Sequence, residues 1–158
     1  MMTVFLSHIR PIIDYCSSVW NLGYQGDLER LESVQRRWTK QVSGLSSLDY
    51  STRLRRLQIY SIKGRLLRAD LIKAWKIFHP VVDVGLMSVF EREFHGATRG
   101  HRMKISIPLC RNDVRRRFFN VRVANLWNSL PSEVVEADSI STFKSGLDRV
   151  LGDRFYDY

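Results

Sequence analysis

Apolar residues recur every three or four positions along most of this 158-residue chain, and that spacing constrains the fold more than any other feature. Residues three and four apart share one face of an α-helix, so each such stripe needs a partner to bury against. Leu28, Leu31, Val34, Trp38 and Val42 form one stripe, on a helix predicted to start at a cap on Asp27, run to about Ser43 and stop at Gly44. Tyr50, Leu54 and Leu57 mark a shorter helix. A strong one is predicted from Ser61 to about His79, ended by Pro80, with Leu67, Leu71, Ala74, Trp75 and Phe78 inside. Gly64 is out of place on its opening turn, where a better helix former is expected.

Asp113 is the expected cap of a helix to about Ser129, with Phe119, Val123, Leu126, Trp127 and Leu130 in its core stripe. Ser141 is the expected cap of the last helix, which puts Phe143, Leu147, Val150 and Leu151 on one face. Met2 to about Asn21 reads as a helix interrupted or restarted near Pro11. Hairpin signals are scarce; only the stretch near 102–108, where Ile105 and Ile107 alternate with Lys104 and Ser106, reads as a short extended or hairpin segment. The expected fold class is therefore mainly α, an irregular multi-helix bundle with that one extended segment. Its expected organisation is a helical unit over 1–80, an irregular connecting region over 81–112, and a C-terminal helical unit over 113–158 packed on the first.

Composition narrows the function classes. No apolar run approaches the ~18 residues of a membrane span, and His8, Arg10 and Asp14 make the first twenty residues a poor signal peptide. Cys16 and Cys110 lie far apart with no pairing pattern, which favours a reducing compartment, so an intracellular, nuclear or cytoplasmic protein is expected. The four histidines and two cysteines fall at no metal-ligand spacing. No phosphate-binding glycine loop, nucleophile elbow or Cys–His pattern is present either, so neither a cofactor nor an enzymatic site is expected. The net charge of +9 points instead to an acidic partner, nucleic acid before any anionic surface.

The cations fall in groups. Arg36, Arg37 and Lys40 are placed opposite the Leu31/Val34/Trp38 stripe, and Arg65, Arg68 and Lys76 opposite Leu67 and Phe78. Two helices with apolar backs and basic fronts suit a phosphate backbone, and binding of that kind weakens steeply with salt. An ordinary solvated helix face is the competing reading. Arg115, Arg116 and Arg117 crowd a helix start that prefers negative charge, a conflict that a nearby anion relieves. Phe118 and Trp127 beside these arginines suit packing better than base stacking. Arg99, His101 and Arg102 flank Gly100 in a compact basic turn, which is either an exposed contact tip or a plain turn.

Four short motifs recur in a telling order: Arg10-Pro11-x-x-x-Tyr15-Cys16-x-x-Val19-Trp20, Val34-Gln35-Arg36-Arg37-x-Thr39-Lys40, Thr98-Arg99-Gly100-His101, and Asn125-Leu126-Trp127-Asn128-Ser129-Leu130-Pro131. In this order and spacing, and over nearly the whole chain, they resemble the region after the polymerase palm in reverse transcriptases of non-LTR (LINE-type, jockey-like) retrotransposons. The resemblance implies a thumb-like unit over 1–80 and a post-thumb segment beyond it, packing helices against a primer–template duplex mainly through its backbone. Polymerases of this family hold two metal ions on paired palm aspartates, and this chain has no Asp-Asp pair. It starts where the resemblance places the end of the palm, and no Cys/His knuckle follows. A non-catalytic fragment of an RNA-directed DNA polymerase is therefore expected, binding an RNA–DNA hybrid or other duplex without sequence preference. The alternatives are a helical protein–protein module or an orphaned structural fragment, with the missing palm or a second copy as partner for an apolar patch near Leu6, Ile9 and Ile13.

Overall fold

The structure is a computed structural model that describes residues 4–79, Phe90 and 100–158. Among these residues the fold is mainly α-helical, with no strand. A π-helical turn, Phe5–Ile9, runs into α1 (Arg10–Asp14). Pro11 follows the π-helical turn without a break in helical backbone, so its missing N–H falls inside a continuous helical run. Cys16 adopts a left-handed φ of 51°, turning the chain into α2 (Ser17–Trp20).

The long helix α3 (Gln25–Lys40) starts two residues ahead of Asp27, which sits in the first turn instead of capping it. Its buried face also differs from the expected one. Glu32, Gln35 and Thr39 are inside, while Val34 is 47% exposed. These three polar residues share one helical face through their spacing of three and four, and each finds a bonding partner there. Helix α4 (Tyr50–Leu57) is capped by Asp49, which accepts from the Thr52 amide at 3.0 Å.

Helix α5 (Ile62–Phe78) begins where the sequence predicts, with Ser61 Oγ accepting from the Gly64 amide at 2.9 Å. A second cap reaches it from α3: Glu32 Oε2 accepts from the amides of Ile62 at 2.9 Å and Lys63 at 3.3 Å. Leu71, Ala74, Trp75 and Phe78 are buried as expected, with Leu66 in the place foreseen for Leu67.

The chain divides into two compact units, Met1–Ala69 with Leu151–Tyr158, and Asp70–Val150. The division falls within α5, and most of the foreseen 81–112 connection lies outside the described residues. In the first unit, Tyr50, Leu54 and Ile59 form a core cluster with Trp38, Leu57 and Tyr156 against it. Phe5 stacks on Trp38 at 4.5 Å between ring centroids. The last residues close this unit through Ser61, whose amide and hydroxyl both donate to the Phe155 carbonyl.

The second unit is built on aromatics. Trp127 is fully buried and stacks against Phe78 at 5.1 Å, while Phe143 stacks on Trp75 at 5.6 Å. The single helix expected over 113–129 is instead α6 (Asp113–Arg116), α7 (Phe119–Arg122) and α8 (Ala124–Asn128). Asn112, not Asp113, caps α6 by accepting from the Val114 amide at 2.9 Å. Phe118 is extended, which breaks the helix after the arginine run. After α9 (Ser132–Val135), α10 (Ile140–Leu151) is capped by Ser139, two residues ahead of the expected Ser141. The extended segment near 102–108 is present without forming a strand; Ile105 is buried and held by a side chain of α8.

Candidate nucleic-acid interface

On the last two turns of α3, local periodicity brings three candidate cations to one side of the helix. Arg36, Arg37 and Lys40 are all exposed. Between Ser33 and Lys40 there is no carboxylate, and Glu32 is turned inward to cap α5. Burial pushes the Glu32 carboxyl up from its ordinary value, opposed by the Tyr50 hydroxyl and the two α5 amides that donate to it. Burial, reinforced by the contact with Glu32, pushes the Tyr50 phenol well above its usual range. Gln35 completes this buried polar cluster, donating to the Tyr50 hydroxyl at 3.1 Å and the Tyr60 carbonyl at 3.0 Å.

Arg36 is held by aromatics. Its guanidinium lies 5.1 Å from the ring centroids of both Tyr50 and Tyr158, so the rings position the cation, and its charge also acts on the buried Glu32 carboxyl. Beside it is a cavity of about 310 Å³ whose wall includes Glu29, Glu32, Arg36 and Lys63, charges of both signs. Among the described residues, no group of His, Cys, Asp and Glu is arranged to hold a metal ion.

The cations of α5 stand differently. Arg65 forms a two-pronged ion pair with Asp14, Nε to Oδ1 at 2.6 Å and Nη2 to Oδ2, so its charge is spent inside the first unit. Arg10 is nearby, and its partial burial and the Arg65 charge lower its pKa, against the pull of Asp14. Arg68 lies 5.9 Å from the Tyr60 ring centroid. Lys76, in the last turn of α5, is exposed and belongs to the second unit.

In the second unit Arg102, Arg115 and Arg116 are exposed. Arg115 lies over the Phe118 ring at 5.3 Å, Arg116 donates to the Cys110 carbonyl at 3.0 Å, and Arg117 pairs with Asp113 at 2.8 Å. Phe118 is 41% exposed, so it is a surface residue, whereas Trp127 is core. Arg99 lies outside the described residues.

Two of the four sequence motifs meet in space, for structural reasons. His101 is buried with Nε2 at 3.0 Å from the Trp127 carbonyl, and the Trp127 indole donates to the Met103 carbonyl at 2.7 Å. The Asn128 amide accepts from the Ile105 amide at 2.9 Å and donates to its carbonyl at 2.8 Å, as a neighbouring strand would. Helix α8 thus pins the extended segment at three successive places.

Sequence reasoning missed one buried ion pair in the second unit: Arg122 Nε and Nη2 reach Asp70 at 2.9 and 3.0 Å. Burial raises the Asp70 carboxyl while Arg122 opposes the rise. A lone acidic residue in the middle of the basic, amphipathic α5 was the available signal. No helix among the described residues is long and apolar enough to cross a membrane. No protein-family model matches the chain, and comparison with curated proteins and with solved structures found no match.

Proposed function

We propose that this chain is a non-catalytic, nucleic-acid-binding portion of a LINE-type, non-LTR reverse transcriptase, with the thumb-like role of holding a primer–template or RNA–DNA duplex by its backbone. The observation that carries this reading is the segregation of charge on α3. Arg36, Arg37 and Lys40 are exposed together, while the nearest carboxylate of the helix, Glu32, one turn before Arg36, is buried and turned to the α5 amides. Three cations within two turns meet successive phosphates without reading bases, so binding is sequence-independent. The motif residues Trp127, Asn128 and His101 act here as packing and pinning groups, in keeping with marks of family membership instead of contacts to ligand. Arg65 leaves the interface, because Asp14 holds it. Free Cys16 and Cys110 fit a nuclear or cytoplasmic setting.

Charge reversal tests the reading. A variant with Arg36, Arg37 and Lys40 changed to Glu is expected to lose binding to an RNA–DNA hybrid in a fluorescence-anisotropy titration, with far-UV circular dichroism unchanged. Undiminished binding would remove α3 from the interface.

A second reading has its own observation. Ile9, Ile12, Tyr15, Val19 and Trp20 are all exposed near the N-terminal helices. Leu6 and Ile13 of the expected patch are half-buried, but this run of exposed large apolar side chains suits an interaction site, so a protein-interaction module, engaging a polymerase palm or a second copy, is the alternative. Self-association in sedimentation equilibrium, without hybrid binding, would favour it.

A further inference from the structure

In the unit Asp70–Val150, the segment after the pinned Ile105 opens into a groove of about 390 Å³. One wall is apolar, formed by Ile107, Pro108 and Leu109 over Val121, and Arg116 and Asn125 supply polar groups. Leu109 is 94% exposed and Ile107 44%, so two large aliphatic side chains stand at the lip in water. The surrounding charge is mainly basic, and Arg122, which also lines the groove, is paired with Asp70. Arg111, Arg115 and Arg116 are exposed, and the only carboxylate between Ile107 and Asn125 is Asp113, which Arg117 engages. Arg116 is anchored through Nε to the Cys110 carbonyl and has no acidic partner among the described residues.

We propose that this groove binds single-stranded nucleic acid, seating one base against Ile107, Leu109 and Val121, with the flanking phosphates on Arg111, Arg115 and Arg116. A nucleobase has apolar faces and a polar edge, and the groove offers an aliphatic wall with one primary amide, Asn125. An amide carries both donor and acceptor, so it meets the edge of any base and imposes little sequence preference. A duplex cannot supply the ligand, because its bases are stacked and paired; the strand must be single. The arginines then provide the salt-dependent backbone contacts that accompany base seating in single-strand binders.

This site uses residues of the second unit only and does not depend on α3, so the two readings fail separately. The test is fluorescence anisotropy of the full chain with a labelled single strand of ~8 nucleotides and with an abasic strand of equal length and charge. The base-bearing strand is expected to bind about fivefold tighter, the lower end of what base–aromatic stacking contributes, because the wall here is aliphatic. Ile107→Ser with Leu109→Ser, both at exposed positions, is expected to bring it down to the abasic level. The Arg36, Arg37 and Lys40 to Glu variant, which tests duplex binding, is expected to keep the base preference. Equal affinity for the two strands, or a preference that survives the double-serine change, would overturn the proposal. Tighter binding of an acidic leucine-containing peptide than of the oligonucleotide would overturn it too, by making the groove a protein-docking site.

Discussion

Gly64 sits on the first turn of α5 because the backbone at Phe155 passes directly over it, and a Cβ there would overlap the Phe155 carbonyl. Helix propensity alone favours alanine at such a site by ~1 kcal/mol. The close approach reverses the sign, since backbone cannot swing aside as a flexible side chain does. Gly64→Ala is expected to destabilise the protein by ~1–3 kcal/mol in urea denaturation. A variant as stable as the parent, or more so, would contradict the close approach of the Phe155 backbone to Gly64.

His101 is a second residue whose surroundings fix its chemistry. Nε2 serves the Trp127 carbonyl and Nδ1 is buried without a partner. Burial pushes its pKa below the ordinary value, and the Lys104 charge acts the same way; the Trp127 carbonyl and Glu136 oppose. The folded state therefore prefers the neutral ring. Its contribution to stability is complete above the unfolded value of about 6.5 and is lost as pH falls through the lower folded value. The buried carboxyls Glu32 and Asp70 are shifted upward, and their contributions run in the opposite direction, gaining on acidification. Subtracting the profile of His101→Gln, which still donates but does not titrate, isolates the histidine. Parent and variant stability curves are expected to diverge below about pH 6.5; parallel curves would contradict the burial of Nδ1.

Between elements, the double hydrogen bond from Asn128 to Ile105 does the work of a missing strand. Asn128→Ala is expected to raise the hydrogen-exchange rate of the Ile105 amide about tenfold or more, for a lost bond net of ~1 kcal/mol plus loosening of the segment. Unchanged exchange would mean that Ile105 is protected by something other than α8. Contacts of this kind also explain how much of the fold was legible in the sequence. The positions of α3, α4, α5 and α10 follow from local apolar spacing, and so does the exposure of Arg36, Arg37 and Lys40. The inward turn of Glu32, Gln35 and Thr39 was not legible, because Tyr50, Tyr60 and the α5 amides, which satisfy the first two, and Arg53, which donates to Thr39, come from other elements. For the same reason local spacing gave no sign that Arg65 is committed to Asp14 and Arg122 to Asp70, across 51 and 52 residues. The break of the 113–129 helix at Phe118 went unseen because Phe119, Val123, Leu126 and Trp127 keep a helical period across shorter pieces.

Across the whole molecule, a net charge of +9 is distributed so that some cations are spent on buried or paired carboxylates and others are left to solvent. Only the second group is available to a partner, which makes binding a property of a few helix faces and not of overall basicity. The measurement that tests this most directly is the affinity for an RNA–DNA hybrid at ~50 and ~200 mM salt, in the parent and in the Arg36, Arg37 and Lys40 to Glu variant. Three phosphate contacts predict a loss of about 40-fold over that range for the parent. The variant is expected to bind weakly at either salt. A parent affinity that is flat with salt, or a variant that retains the parent's salt dependence, would contradict a phosphate-backbone interface on α3.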